Sequence, residues 1–399
     1  MSDAATGTGS PGSTGSPGTG PLGVACIGYA FMGKAHSAAW REVSAHFDVP
    51  ATSRQVLVGR DAGQVAEAAA TYGWAESATD WRDVIARDDI DIVDICTPGE
   101  THAEIALAAL AAGKHVMVEK PLANTLTEAE AMAAAATEAT GRGAFSMVGF
   151  NYRRVPALAH ARNLIAQGVI GQVRQIRGAY LQDWLADAQA PMTWRLRAET
   201  AGSGALGDIA SHTVDLVGFL TGSTATDVSA RLQTFVPQRP GPAGPEDVTV
   251  DDGAWLTLGL SGGAVAERAV AGVEVSRVAL GRKNALTLEI YGTEGAICFD
   301  LERLNELQVL RGTDAASHGF ARVLITEEDH PYLSAWWPPG HVIGWQHTFV
   351  HQVRDFLSAL DSGTPPTPSF ADGLATQRVL AAAQESARNA SATITLGSA

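Results

Sequence analysis

From Val24 onward, short apolar runs alternate with longer stretches in which apolar residues recur every three or four positions. VACI (24–27), VLV (56–58), DIVDIC (91–96), HVMVEK (115–120) and AFSMVGF (144–150) have the length and composition of buried strands. Between them lie a helical pattern from about Met32, DAGQVAEAAATYG, THAEIALAALAAG, and an Ala-rich pattern from about Leu126. Gly113 stands where a helix C-terminal cap belongs. Strands alternating with helices of about 10 to 15 residues predict right-handed βαβ units and a doubly wound parallel sheet ending near residue 150.

Beyond Asn151 the pattern changes. PALAHARNLIAQG predicts a helix, VRQIRGAYL (173–181) a strand, and residues 204–220 repeat with helical spacing. From about residue 226, DVSARLQTFV, AWLTLGL, AVAERAVAGVEV, ALTLEIYG, GAICFD and ELQVL follow one another, several separated only by turns such as SGG (261–263) and GTEG (292–295). Strands without intervening helices predict a large, mainly antiparallel open sheet and an α+β second domain. FVPQRPGPAGPED (235–247) reads as a loop between strands, and helical segments at about 346–361 and 371–390 close the chain. The expected organisation is α/β, with a tail over 1–22, a first domain over 23–150 and a second over 151–399 whose last helices can pack back on the first.

Composition narrows the function. The 399-residue chain carries 43 acidic and 28 basic residues, a net charge of −15, which disfavours nucleic acid or an anionic membrane as partner. Cys26, Cys96 and Cys298 are scattered and make no C-x-x-C pair, which fits reduced thiols and a cytoplasmic location better than disulfides or zinc. No run of about 18 apolar residues predicts a membrane span. The Gly-, Ser-, Thr- and Pro-rich start reads as a flexible tail without a secretion signal.

The first strand opens into Gly28-Tyr29-Ala30-Phe31-Met32-Gly33, a G-x-A-x-x-G turn before a helix. A tight turn that presents free N–H groups at a helix N-terminus attracts phosphate, and the strand–turn–helix context makes it a dinucleotide fingerprint. After the second strand stand Gly59 and Arg60, where many NAD sites carry an acid; Arg60 can pair with a 2′-phosphate, which tilts the choice between NAD and NADP toward NADP. Glu119 and Lys120 end the fourth predicted strand at the crevice where such sheets bind ligands, and Pro121 biases Lys120 toward an extended backbone. An ordinary surface lysine is the competing reading.

G-x-A-x-x-G, ICTPGETHAEIALAALAAGKHVMVEKPLA, GFNYRR (149–154) and GALGDIASHTVDL together resemble the Gfo/Idh/MocA oxidoreductases, over essentially all of the chain after the tail. FNYRRVPAL, YLQDW, GSGALGDIASH, GTEGAICFD and the long REVSAHFDVPATSRQ are similar to the pattern of levoglucosan dehydrogenase-like and related sugar and inositol dehydrogenases. The resemblance implies a Rossmann domain followed by an α/β domain whose open sheet often joins subunits, hence a homodimer or homotetramer. It also implies NAD(P)-dependent hydride transfer at a secondary alcohol of a sugar, anhydrosugar or cyclitol. The family lysine falls on Lys120, the D-x-x-x-H pair on Asp208 and His212, the cofactor-facing Thr-Pro on Thr97 and Pro98, and a substrate-side residue on Asn151. The same fold also serves glycosidases that transiently oxidise C3 with a retained NAD, and non-catalytic dinucleotide-binding regulators.

On a helix, Asp208 and His212 share one face. A metal pair would need further ligands that no H-E-x-x-H or Cys cluster supplies, so no metal is expected. For chemistry the pair fits: imidazole suits removal of a hydroxyl proton, an aspartate can orient it and favour its charged form or bind the substrate, and Lys120 can steady the developing alkoxide or serve as an alternate base. Arg153 is a candidate for substrate hydroxyls, Trp184 and Trp194 for an apolar wall against a sugar ring, and His102 for a place near the cofactor without a catalytic role. WWPPGHVIGWQH (336–347) reads as a rigid loop at a pocket mouth or subunit contact.

Overall fold

A computed structural model of the protein describes residues 20–312 and 318–397. Most of the expected tail, residues 1–19, lies outside the described residues, and the first strand already begins at Leu22.

The first unit runs β1 (Leu22–Ile27), α1 (Phe31–His46), β2 (Thr52–Val58), α2 (Ala62–Tyr72), β3 (Glu76–Ala78), α3 (Trp81–Ile85), β4 (Ile92–Ile95), α4 (His102–Ala111), β5 (His115–Val118), α5 (Leu126–Thr140) and β6 (Ser146–Val148). All pairings in its sheet, ordered β3-β2-β1-β4-β5-β6, are parallel. The pattern missed only β3 and α3, three and five residues long, which are too short to show a period. Helix α2 starts where the Asp61 side chain accepts from the Gln64 amide and stops at Gly73 in the left-handed region.

The second unit runs α6 (Pro156–Ala166), β7 (Val173–Leu181), α7 (Ala198–Ala201), a π-helical turn (Leu206–Ala210), α8 (Ser211–Thr221), β8 (Thr224–Gln233), β9 (Gln238–Gly241), β10 (Gly244–Asp247), β11 (Gly253–Ser261), β12 (Val265–Ser276), β13 (Ala285–Gly292), β14 (Gly295–Asp300), β15 (Glu306–Arg311) and β16 (Ala321–Leu324). Helices α9 (His347–Ser362) and α10 (Phe370–Arg388) and the two-residue β17 (Ile394–Thr395) complete it. The large sheet, ordered β16-β15-β14-β13-β7-β12-β11-β8-β17, is antiparallel except for the parallel β7–β12 pair. The segment 235–247, expected as a loop, instead folds into the β9–β10 hairpin. Within it the Arg239 guanidinium is buried and donates to the carbonyls of Leu185 and Asp187, and that anchor orders the segment.

Side chains of α6, α8 and α10 fill one face of the large sheet. Helix α9 packs elsewhere: Phe349, Val350, Val353, Phe356 and Leu357 join the apolar core formed by β1, β4, β5 and α1. Phe370, the first residue of α10, enters the core on the opposite face of the parallel sheet, with α4 and α5. The closing helices thus bind the two units together. No helix among the described residues is long and apolar enough to cross a membrane.

Candidate active site

Strands β1, β4 and β5 lie side by side, so the loops after their carboxyl ends meet in one crevice. Gly28 has φ +111°, and a Cβ there would stand 2.7 Å from the Cys96 carbonyl oxygen. A Cβ on Gly33 would stand 2.0 Å from the Gly28 carbonyl oxygen. Both glycines are therefore required by close backbone packing. Ala30 caps α1 without a side-chain hydrogen bond, which leaves the first-turn amides open to an anion. This donor set fits a dinucleotide pyrophosphate. Met32 packs toward the core, whereas Phe31 is 64% exposed and stacks on Trp345, ring centroids 5.5 Å apart.

Tyr29 explains Gly59. A Cβ on Gly59 would meet the Tyr29 ring at 2.0 Å, so any larger residue there would have to displace that ring. Asp61 is committed to capping α2. Arg60 is exposed and makes no hydrogen bond or ion pair among the described residues.

After β4, Thr97 accepts from the Thr101 hydroxyl at 2.7 Å, and Pro98 begins a short 3-10 turn. His102 is buried between two carbonyls, Nδ1 3.0 Å from that of Pro121 and Nε2 2.9 Å from that of Thr97. Burial lowers its pKa, so the neutral ring donates to one carbonyl at a time and ties the loop after β4 to the loop after β5.

Lys120 reaches across to the second unit. Its Nζ donates to the Asp208 backbone carbonyl at 2.7 Å and to Asp208 Oδ1 at 3.1 Å. Arg277 Nη1 stands 3.8 Å from the other Asp208 oxygen. Desolvation pushes the Asp208 carboxyl up, but Lys120 and Arg277 outweigh it and hold the pKa at about 2. Asp208 lies in the π-helical turn, whose wide backbone is a recurrent feature of functional sites, and not in the continuous α-helix expected.

His212, in the first turn of α8, is buried among the rings of Tyr152, Tyr180 and Phe150, with its centroid 4.5 Å from that of Tyr152. Burial, then the Lys120 charge, lower its pKa well below 6.5, outweighing the attraction of Asp208. The expectation that Asp208 orients His212 and favours its charged form is therefore corrected: no hydrogen bond joins them, and the carboxylate faces Lys120 and Arg277. Nδ1 of His212 is buried without a partner, which leaves Nε2 as the nitrogen able to meet a ligand.

Other candidates separate. Trp184 is 45% exposed, with Arg277 over its ring and its Nε1 donating to Gln182. Trp194 is partly exposed beneath Arg195. Asn151 is buried and donates to Thr348 of α9 at 2.9 Å. Arg153 is also buried and grips Asp215 through two bonds of 2.8 and 2.6 Å, so its guanidinium is occupied inside the protein. Sequence reasoning missed Arg277, the linked Tyr152 and Tyr180 hydroxyls beside His212, and the partners His36 and Asp94 that join Glu119 in a buried group under the crevice. Only Asp94 signalled itself, as an acid inside an apolar strand.

A turn with open first-turn amides, and near it a lysine paired with a carboxylate and a neutral imidazole, are the groups a dinucleotide-dependent oxidoreductase needs. Residues 22–148 match the oxidoreductase family with an NAD-binding Rossmann fold, and residues 158–298 match the GFO/IDH/MocA C-terminal domain. Levoglucosan dehydrogenase of Pseudarthrobacter phenanthrenivorans is 43% identical over 88% of this chain and 92% of its own length. An oxidoreductase domain protein from Kribbella flavida superposes with TM-score 0.91 at 52% identity, covering 95% of this chain and all of its own. A levoglucosan dehydrogenase solved with NADH and levoglucosan gives TM-score 0.89 at 42% identity, with 95% of this chain and 100% of that one covered. The chain belongs to the Gfo/Idh/MocA family and is an NAD-binding oxidoreductase.

Proposed function

We propose that this enzyme oxidises a secondary hydroxyl of a sugar, anhydrosugar or cyclitol, with levoglucosan-like anhydrosugars the leading substrate class. The observation that carries this reading is Lys120 locked onto Asp208 beside a neutral, ring-packed His212 at the crevice of an anion-ready turn. The relatives named levoglucosan dehydrogenase and, at 27% identity, inositol 2-dehydrogenase of Rhizobium meliloti support the substrate class. Their names favour a dehydrogenase over the C3-oxidising glycosidase or the non-catalytic regulator.

The turn from Gly28 to Gly33 and the start of α1 hold the pyrophosphate, and Thr97 and Pro98 line the nicotinamide end. When bound, the dinucleotide supplies the hydride acceptor. His212 Nε2 takes the hydroxyl proton. The Lys120 ammonium stabilises negative charge building on the substrate oxygen, and Asp208 keeps that ammonium aimed. Trp184 and Trp194 offer ring faces to the sugar. Arg153, held by Asp215, and Asn151, held by Thr348, stay committed to partners inside the protein and take no part in binding the sugar.

NAD is the cofactor we assign, in line with the NADH held by the levoglucosan dehydrogenase structures. Arg60, exposed after the end of β2, leaves room for NADP, so the kcat/KM ratio of the two measures that residue's contribution. The uncovered face of the large sheet, with Trp255 partly exposed, suits a homodimer or homotetramer. The three unpaired cysteines suit the cytoplasm.

A thermal-shift screen with NAD and NADP, followed by reduced-nicotinamide absorbance with levoglucosan, inositols and hexoses, tests the whole reading. Stabilisation by NAD and sugar-dependent absorbance are expected; if neither dinucleotide stabilises the protein, the reading is overturned.

A further inference from the structure

Beneath the crevice lies a buried charged group that the proposed chemistry does not use. Asp94 stands in the middle of β4 with no exposure, between Cys26 of β1 and Met117 of β5. His36 of α1 places Nδ1 2.9 and 3.0 Å from the two Asp94 oxygens and Nε2 2.8 Å from Glu119 Oε1. Trp40 Nε1 donates to Asp94 at 2.7 Å, and the Cys96 thiol approaches it at 3.7 Å. From α9 the Phe349 ring meets His36, its centroid 5.3 Å away.

A neutral imidazole has one N–H. With both ring nitrogens facing carboxylates, the ring satisfies both only as an imidazolium. Burial works against that charge, but Asp94 and Glu119 outweigh it and raise the pKa well above 6.5. The second Glu119 oxygen accepts from the Lys120 backbone N–H at 3.3 Å, and Gly149 packs so closely that a Cβ there would stand 2.8 Å from Glu119 Oε1. An unbroken chain of contacts therefore runs from Asp94 through His36 and Glu119 to Lys120 and on to Asp208.

We propose that His36 is a positioning residue: its imidazolium, anchored on Asp94, holds Glu119 as a fixed carboxylate, and Glu119 fixes the backbone from which Lys120 reaches the substrate oxygen. The proposal rests on Lys120 acting on the substrate. It explains why an acid occupies the centre of an apolar strand: Asp94 compensates a buried cation whose other face serves the site.

Two measurements decide it. In the full-length enzyme labelled with 15N-histidine and assigned with His36→Gln, both His36 ring nitrogens should stay protonated from pH 6 to 8.5. A ring that instead loses a proton near neutrality overturns the proposal. Glu119→Gln keeps the size of the side chain but removes its charge. It should lower the kcat of the folded enzyme about 10- to 100-fold, the scale of loss from slight misplacement of a reacting group, while KM for NAD stays near the parental value. If Glu119→Gln folds and keeps parental kcat, or loses kcat only in proportion to its folded fraction, positioning is refuted even where His36→Gln fails to fold. Sugar-dependent turnover of the parent separates the two failures. With it present, an unaltered Glu119→Gln sinks the positioning role alone; with it absent, the functional reading falls first and the proposal with it.

Discussion

His212 shows how much a residue's surroundings decide. An exposed imidazole titrates near neutrality, but here burial and Lys120 keep the ring neutral to well below pH 6.5. Two outcomes follow. The kcat/KM profile should show no acid limb near pH 6.5, because the base is already unprotonated there. Below about pH 6.5 the unfolded chain takes up a proton that the folded ring refuses, so stability is lost as pH falls through that range, and His212→Gln should lessen the loss in denaturant titrations. The same substitution should lower kcat by about 10²- to 10⁴-fold in steady-state assays. Arg153 carries the opposite lesson. Placed by sequence among substrate contacts, it is paired with Asp215 inside the protein. Arg153→Ala strands a buried carboxylate and should cost about 3–5 kcal/mol in urea unfolding, with much of it recovered when Asp215 is also replaced by an apolar residue.

At the scale of elements, the turn between β1 and α1 was legible because its geometry is local. Gly28 and Gly33 lie five residues apart and constrain each other directly. Gly33→Ala should abolish the NAD-induced thermal shift, since the added methyl meets the Gly28 carbonyl, whereas Ala30→Gly should preserve it. The π-helical turn at Leu206–Ala210 was not legible. Its residues have helical spacing in the sequence, and the wider turn depends on contacts from elsewhere: Asp251 accepts from the amides of Gly204 and Leu206, both at 2.8 Å, and Lys120 takes the Asp208 carbonyl. The β9–β10 hairpin was hidden for a similar reason, since Arg239's carbonyl partners come from residues about fifty positions earlier.

For the whole molecule, the large sheet has one face filled by helices and the other lined by Arg177, Arg231, Trp255, Thr257 and Glu274. If this face joins subunits, Trp255→Glu should shift the mass measured by light scattering toward the monomer while leaving the NAD thermal shift intact. The parallel sheet, the large antiparallel sheet and the dinucleotide turn followed from the sequence alone, because strand and helix periods and glycine packing depend on near neighbours. The three polar residues expected at the crevice were also identifiable from their motifs. What only the tertiary structure decided is how those residues are paired. Asp208 turned to Lys120 and away from His212, Arg153 was withdrawn to Asp215, and His36, Asp94 and Glu119 converged from α1, β4 and the end of β5. Charge pairing and burial act between side chains 58 to 88 positions apart, and no local pattern records which partner a buried charge will find.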